Sequence, residues 1–229
     1  MEFINYKNKF GAKMRYRRPK DHKEKIGDLI REGIILEAVR KVEIRPDKKF
    51  FIEIGMGRGD FLTEHARRQP QNDYLGIEKQ APLLILAGQK IKDLALSNIH
   101  LMSLDAAKIE EVIRPNSVDG IYLNFSDPWA KQRYAKRRLT HLEMLRRYEK
   151  IVKPGAKVFL KTDDADFFEF SLKEIEKSDL QRTREIRDLY HRENLNTLEE
   201  TDPILIQTEY EKKFISLEKT IFYLECTLI

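Results

Sequence analysis

The sequence predicts an α/β fold with a doubly wound, mostly parallel sheet of seven strands and an antiparallel strand at the C-terminal end. Three observations support this prediction. Short apolar runs alternate with amphipathic segments of helical period from about residue 49 onward. A glycine-rich turn follows the first apolar run, and the last run, "TIFYLECTLI", has no helix after it. Ligands of such folds bind beyond the carboxyl ends of the parallel strands, so we expect the functional residues there.

The elements follow one another without a linker, an internal repeat or a low-complexity tract. A first amphipathic helix is predicted from residue 26 to about Val42, with these residues facing inward: Ile26, Leu29, Ile30, Leu36 and Val39. Strands are predicted at residues 49–55, 73–78, 98–105, 117–125, 156–163 and 220–229. Helices are predicted at residues 60–69, 81–96 and 139–152, the last of them stopped by "KPG". We therefore predict one domain over residues 26–229, preceded by a basic arm over residues 1–25.

The composition is that of a soluble globular protein. Charged residues make up 35% of the 229 residues and hydrophobic residues 41%, and a chain of this size buries about 70% of its unfolded surface. We find no apolar window of about 18 residues and no secretory signal, so we expect a cytoplasmic protein without membrane association. Cys226 is the single cysteine, and the five histidines show no ligand spacing, so we expect no disulfide and no metal. No obligatory protein partner is implied.

The charge is unevenly distributed along the chain. Residues 1–25 hold nine Lys or Arg against three Asp or Glu, and residues 131–150 hold eight against two. The remaining residues carry a net negative charge. Either basic segment alone is typical of a solvated surface, but two such segments on an acidic body favour binding of a polyanion such as nucleic acid.

The first chemical motif is "FIEIGMGRGDFL", residues 51–62. Gly55, Gly57 and Gly59 permit a tight turn and a close approach of a ligand to the backbone at a helix N-terminus. A dinucleotide site is the obvious alternative, but its fingerprint places the third glycine where this chain has Asp60. Glu53, inside the strand, suits a positively charged amino group better than a pyrophosphate.

Two further acids end the next predicted strands. Glu78 follows the glycines by about 20 residues, where an acid can bind ribose hydroxyls, and Asp105 ends the third strand. Each of them alone could be an ordinary loop carboxylate. Together with Glu53 they outline a site for a nucleoside with a cationic tail, which predicts S-adenosylmethionine as the cofactor.

The stretch "LNFSDPWAKQRYAKRRLT" carries a more specific resemblance. With "FIEIGMGRGDFL", "YLGIEKQ", "LKTD" and "TEYEKKF", it resembles bacterial tRNA (guanine-N7-)-methyltransferases from about residue 50 to the C-terminus. The resemblance implies a Rossmann-like class I methyltransferase with cofactor contacts from Glu53, Glu78, Asp105 and Asp127, the last also being the catalytic residue. It implies guanosine contacts from Lys131, Asp163, Thr208, Glu209, Tyr210 and Glu211. Ala130 stands where the family commonly has proline, and the N-terminal arm is not the usual one.

The chemistry expected of Asp127 is orientation rather than proton abstraction. Guanine N7 carries a lone pair and no proton, so methyl transfer to it needs no general base. The carboxylate can accept hydrogen bonds from guanine N1–H and the 2-amino group, and its charge can stabilise the methylated base by roughly 2 kcal/mol at an effective dielectric of about 20. Trp129 could stack on an extruded base, or it could be a hydrophobic plug beneath the loop.

Cations follow this motif at once. We expect four of them to bind RNA phosphates beside Lys131, namely Arg133, Lys136, Arg137 and Arg138, with Arg146 and Arg147 extending the patch. The predicted macromolecular partner is therefore tRNA. Two alternatives stay open. "SDPW" partly resembles the loop of exocyclic amino methyltransferases that act on adenine N6 or cytosine N4, and a non-enzymatic RNA-binding module on the same fold would need no cofactor.

Overall fold

A computed structural model describes residues 20–229 of the chain. The strands in this part are β1 Ile35–Leu36, β2 Phe50–Ile54, β3 Asp73–Ile77, β4 Ile99–Met102, β5 Val118–Asn124, β6 Val152–Thr162, β7 Leu180–Ile186 and β8 Phe222–Leu228. The helices are α1 His22–Arg31, α2 Asp60–Arg68, α3 Ala81–Asp93, α4 Ile109–Val112, α5 Leu142–Ile151, α6 Ala165–Ile175, α7 Arg192–Leu195 and α8 Glu209–Ser216. Short 3-10 segments lie at Ala106–Lys108, Gln132–Arg137 and Pro203–Leu205. Strands and helices alternate from β2 to β7. The sequence pattern predicts this alternation up to β6, except for α4.

The strands form a single sheet in the order β1-β4-β3-β2-β5-β6-β8-β7. Neighbours from β1 to β6 pair in parallel, and β8 pairs antiparallel with both β6 and β7. The doubly wound, mostly parallel sheet with an antiparallel C-terminal strand is thus confirmed. The order reverses between β2 and β5, which is the switch point at which such sheets bind ligands.

The N-terminal prediction is partly wrong. The helix α1 ends at Arg31, and Gly33 then takes a left-handed φ of +75°, a conformation that ends helices readily. The chain continues as β1 beside β4, so the described sheet has eight strands and the predicted count of seven is one short. Val39, predicted to face inward, is 82% exposed. Residues 1–19 of the predicted arm lie outside the described residues, and residues 22–25 belong to α1.

The C-terminal half also differs in detail from the prediction. The strand β6 begins at Val152, directly after α5, so "KPG" lies inside the strand rather than before it. The sequence of β7, "LQRTREI", is mostly polar and therefore does not predict a strand. This composition agrees with its burial, since only its two end residues are buried. This strand covers the outer side of β8, which therefore lies second from the edge of the sheet.

The central strands carry the core and bring the site residues to one edge. Ile52 of β2 and Ile121 of β5 are fully buried on one face of the sheet, and burial of each such side chain contributes about 1.5–3 kcal/mol. On the opposite face, Tyr122 stacks on Phe159 with ring centroids 4.6 Å apart. Since β2, β3, β4, β5 and β6 are parallel, their carboxyl ends meet at the same edge of the sheet.

Candidate active site

The glycine turn joins β2 to α2 at this edge. The φ values of Gly55, Gly57 and Gly59 are +74°, +59° and +71°. Residues other than glycine rarely adopt this backbone conformation. The backbone N–H groups of Gly55 and Met56 both donate to the carbonyl of Ile77, at 2.8 and 3.2 Å. The turn is therefore anchored to the end of β3. It also starts α2, because Gly59 is the N-cap residue of that helix.

Glu53 is a buried carboxyl group with one unsatisfied oxygen. Its side chain is at the end of β2, and Glu53 is 1% exposed. Asn124 at the end of β5 donates its Nδ2–H to Oε1 at 2.9 Å, while Oε2 has no hydrogen-bond partner. Burial raises the pKa of Glu53 to about 8, against the opposing effects of Asn124 and the Lys161 charge. Such a group is well suited to accept a cationic donor from a ligand.

Glu78 follows β3 and fastens the next part of the site. Its Oε2 accepts a hydrogen bond from the N–H of Gly57 at 3.2 Å, and its Oε1 accepts from the N–H groups of Lys79 and Gln80 at 2.8 and 2.9 Å. Burial raises the pKa of Glu78, and these backbone donors oppose that effect. Glu78 thus connects the glycine turn to the loop after β3.

Asp105, beyond β4, is more open to solvent than these two acids. Its Oδ1 accepts from the N–H of Ala107 at 3.0 Å, and its Oδ2 pairs with Lys79 Nζ at 2.7 Å. The hydrogen bond from Lys79 lowers the pKa of Asp105. The strand ends thus carry the three acids in the order that the sequence predicts, with burial decreasing from Glu53 to Asp105.

A small cleft lies between the glycine turn and the first turn of α8. Its walls include Glu53, Gly57, Phe125 and Tyr210, and we call it the glycine-turn cleft. Arg58 in the turn donates to Glu209 Oε1 across it, with Nη1 and Oε1 2.6 Å apart. The predicted cofactor residue Glu53 and the predicted substrate residues Glu209 and Tyr210 thus share one cleft.

Asp127 is exposed on the loop that leaves β5. Two non-glycine residues of this loop, Phe125 and Trp129, have left-handed φ values of +50° and +43°, a conformation that is costly for such side chains. The charge of Asp127 contributes to the raised pKa of Glu78. The Asp127 carboxylate therefore lies close enough to Glu78, one of the predicted cofactor residues, for its charge to act there.

Trp129 and the cations beyond it form one surface. The Trp129 ring is half-buried, packs edge-on to Tyr134 at 5.9 Å, and has the Arg137 guanidinium 5.0 Å from its centroid. The exposed cations of this surface, which we call the basic segment, are Lys131, Arg133, Lys136 and Arg137. Arg138 differs from them, because it is only 7% exposed and its guanidinium contacts backbone carbonyls. Phosphate contact by Arg138 is therefore at odds with the structure.

The tail residues predicted to bind guanosine divide into two groups. Thr208 and Glu211 form a capping box at the start of α8, in which each side chain accepts from the backbone N–H of the other. Glu211 is fully buried and also binds Lys161 Nζ and the Tyr190 hydroxyl. Direct contact between Glu211 and a substrate is therefore ruled out in this conformation, whereas Thr208, Glu209 and Tyr210 line the glycine-turn cleft.

Asp163 directly follows β6 and pairs with Lys219, with Oδ2 and Nζ 2.5 Å apart.

Three residues that sequence reasoning did not assign to the site now join it: Arg58, Asn124 and Lys161. A lysine inside the apolar run "VFLKT" was the signal for Lys161, since a cation in a buried strand needs a counter-charge. Arg58 had no such signal.

A larger cavity of about 410 Å³ adjoins the site and shares Asn124 with it. Two cations in its wall pair with acids of the same wall, Lys157 with Glu225 at 2.6 Å and Arg184 with Asp202 at 3.7 Å. Within residues 20–229, no three His, Cys, Asp or Glu side chains are grouped as a metal site requires. No helix in this part of the chain is long and apolar enough to cross a membrane.

The fold is of the α/β class that solved methyltransferases share. The fold is similar to that of a solved 16S rRNA methyltransferase, with a TM-score of 0.59 and 12% identity over 84% of this chain and 98% of the other. It is also similar to that of a SAM-dependent methyltransferase from Aquifex aeolicus, with a TM-score of 0.53 and 14% identity over 91% of this chain and 90% of the other.

Sequence comparison then defines the family. Residues 47–224 match a family model described as "Putative methyltransferase". The tRNA (guanine-N(7)-)-methyltransferase of Bacillus subtilis is 38% identical over 78% of this chain and 80% of its own length. The corresponding protein of Ureaplasma parvum is 42% identical over 80% of this chain and 81% of its own length. The chain belongs to the tRNA (guanine-N(7)-)-methyltransferase family, as the motifs predict.

Proposed function

We propose that this protein transfers the methyl group of S-adenosylmethionine to N7 of a guanosine in the variable loop of tRNA. The main observation behind the proposal is that one loop connects three features. It begins at Asn124, which is paired with the buried Glu53, continues through Asp127 and ends in the basic segment. Membership of the family supports it. We place the reaction in the cytoplasm, where tRNA is the partner and no further protein is needed.

The residues present fit this cofactor. The unsatisfied, buried Oε2 of Glu53 would accept the cationic amino group, and the glycine turn would bring its backbone close to the ligand. Glu78 would hold the ribose hydroxyls, and Asp105 would lie at the far end of the nucleoside. When bound, the cofactor supplies an electrophilic methyl group on a sulfonium.

Asp127 would orient the guanine and stabilise the product. Its carboxylate would accept hydrogen bonds from N1–H and the 2-amino group, which adenine does not offer in that arrangement. Orientation of two reactants can supply several kcal/mol of a barrier, with about 7–11 kcal/mol as the upper range. No proton is taken from N7, so Asp127 acts through position and charge.

The remaining predicted contacts would hold the RNA. Lys131, Arg133, Lys136 and Arg137 would bind phosphates around the target nucleotide, and their exposure suits that task. Glu209 and Tyr210, which line the glycine-turn cleft, would contact the extruded nucleoside. Asp163, which directly follows β6, would contact it as well. Thr208 lines the same cleft and would contact the nucleoside there, while its hydroxyl also caps α8.

The test is incubation of the purified protein with labelled S-adenosylmethionine and an unmodified tRNA transcript, followed by nucleoside analysis. We expect 7-methylguanosine, and we expect loss of labelling when the variable-loop guanosine is replaced. N6-methyladenosine or N4-methylcytosine would instead identify an exocyclic amino methyltransferase. Absence of both product and cofactor binding would identify a non-enzymatic RNA-binding module.

The matched variants are Asp127→Ala and Asp127→Asn. We expect Asp127→Ala to bind tRNA normally and to lose at least about 100-fold in kcat, because a misplaced base or an unstabilised charge costs that much. Asp127→Asn keeps the shape and one acceptor, so its loss should be smaller. Turnover of Asp127→Ala close to that of the unmodified protein would refute the role given to this residue.

A further inference from the structure

Arg138 stands apart from the cations that precede it. Within residues 131–138, all of which the structure describes, it is the only cation that is buried. Its Nε donates to the carbonyl of Pro128 at 2.8 Å, and its Nη2 donates to the carbonyl of Trp129 at 3.2 Å. Its guanidinium carbon also lies 4.2 Å from the centroid of the Phe170 ring. The edge formed by Nε and Nη2 and one face of the group are therefore engaged by protein.

The loop that Arg138 grips has an unfavourable backbone. Phe125 and Trp129, on either side of Asp127, both have left-handed φ values, and non-glycine residues keep such values only where the surrounding structure holds them. At the first end, the N–H of Phe125 donates to the carbonyl of Lys161 at 2.8 Å. At the second end, the two carbonyls bound by Arg138 belong to the peptide groups on either side of the Trp129 Cα.

The helix α6 packs against Arg138 and the residues that follow it. Phe170 of α6 contacts the Arg138 guanidinium, and Ser171 Oγ hydrogen-bonds Thr140 Oγ1 at 2.7 Å. One turn further along α6, Glu174 Oε2 accepts from the N–H of Leu142 at 2.8 Å. These three contacts, made by residues 170–174, therefore hold the segment 138–142 against α6.

We propose that Arg138 is a positioning residue for methyl transfer. It holds the carbonyls of Pro128 and Trp129 and so sets the direction in which Asp127 and Trp129 point, without binding an RNA phosphate. The inference rests on the proposed function, because it assigns Asp127 and Trp129 to the guanine. The site requires arginine, because a planar fork can satisfy two neighbouring carbonyls while its face stacks on a ring, and a lysine ammonium cannot do both.

The variants that test this are Arg138→Lys and Arg138→Met, with Lys136→Met for comparison. Lys136 lies two residues away, is 78% exposed at its side chain and pairs only loosely with Glu143, at 3.3 Å. We expect both Arg138 variants to lose about 10- to 100-fold in kcat at saturating tRNA, since misplacement by about 1 Å can cost that much. The slope of tRNA affinity against salt should stay unchanged for them and should fall for Lys136→Met.

Trp129 offers a readout that does not depend on turnover. It is the single tryptophan of the chain, so its emission and its quenching by acrylamide report directly on this loop. We expect Arg138→Met and Arg138→Lys to change both, and Lys136→Met to change neither. We also expect low concentrations of guanidinium to restore part of the kcat of Arg138→Ala, with potassium chloride at equal ionic strength having no such effect.

Two results would overturn the proposal. One is an Arg138→Met variant with normal kcat and a reduced salt slope, which would make Arg138 a phosphate contact. The other is an Arg138→Lys variant with normal kcat and normal Trp129 fluorescence. Retention of the cofactor-induced rise in Tm would show that a variant is folded. If the unmodified protein formed no 7-methylguanosine, the proposed function would fail, while the fluorescence comparison would still decide whether Arg138 positions the loop.

Discussion

Glu53 and Glu211 are the two most deeply buried glutamates among residues 20–229, and the protein uses them in opposite ways. Glu53 in the glycine-turn cleft is 1% exposed, and Glu211 at the start of α8 is fully buried. Glu211 receives hydrogen bonds from Lys161 Nζ at 2.7 and 2.9 Å, from the Tyr190 hydroxyl at 2.8 Å and from the Thr208 N–H at 3.2 Å. Glu53 receives one, from Asn124, and its second oxygen has none.

The difference separates a stabilising group from a ligand-binding group. A buried carboxylate that the protein satisfies fully has no capacity left for a ligand, and its removal leaves buried partners unpaired. A buried carboxyl group with an unsatisfied oxygen and a raised pKa is a candidate binding group. Sequence resemblance assigned both glutamates to ligands, and burial with hydrogen bonding distinguishes them.

The largest effect that tests this comparison is expected from Lys161→Met. Lys161 lies between the two regions and donates to Glu211 and to the carbonyls of Ile204 and Ile206. Removing it leaves the buried Glu211 without its cationic partner, which should reduce the free energy of unfolding by about 3–5 kcal/mol. Urea denaturation measures this loss. The double variant Lys161→Met/Glu211→Gln should recover part of it, and a loss below about 1 kcal/mol in the single variant would contradict the stabilising role.

An effect on stability with a defined pH dependence is expected from Glu53. Its pKa is raised from 4.5 to about 8 by burial, so the folded, ligand-free protein binds a proton that the unfolded chain has lost between those pH values. Unfolding therefore becomes easier as pH rises from about 5 to about 8. Glu53→Gln should abolish this part of the slope while weakening cofactor binding at least about tenfold, or by about 1.4 kcal/mol.

Cofactor binding should also release a proton from Glu53. Near pH 7 the carboxyl group is mostly protonated in the ligand-free protein because its pKa is about 8, and a cationic amino group beside it lowers that pKa. Titration calorimetry in two buffers of different ionisation enthalpy measures the release, which should approach one proton. The same titration of Glu53→Gln gives the number of protons that the cofactor itself releases. If the unmodified protein and Glu53→Gln released equal numbers of protons, the proton would come from a group other than Glu53.

The smallest effect is expected from Tyr190→Phe. This change removes one of the donors to Glu211 and leaves Lys161 in place, so the free energy of unfolding should fall by about 1 kcal/mol. Cofactor affinity should not change, since Tyr190 lies outside the glycine-turn cleft lining. A change in cofactor affinity larger than the change in stability would show that the two regions are coupled more closely than their hydrogen bonds indicate.

Much of the fold could be predicted because its signals are local. The alternation of strand and helix, the turn at Gly55, Gly57 and Gly59, and the acids at strand ends are each visible within about ten residues of sequence. Strands β1 and β7 are not predicted, because they lack such local signals. The first has two residues, the second is mostly polar, and each exists because a neighbouring strand offers unpaired backbone groups.

Residue type and spacing are sufficient to predict the parallel sheet, the glycine turn and the chemical groups at the edge of the sheet. Which of the charged groups are available to ligands depends instead on how the chain packs. Arg137 and Arg138 are neighbours of the same type, yet one is exposed and the other is buried against Phe170. Burial depends on contacts between distant parts of the chain, and desolvation makes each buried charge find its partner within the protein.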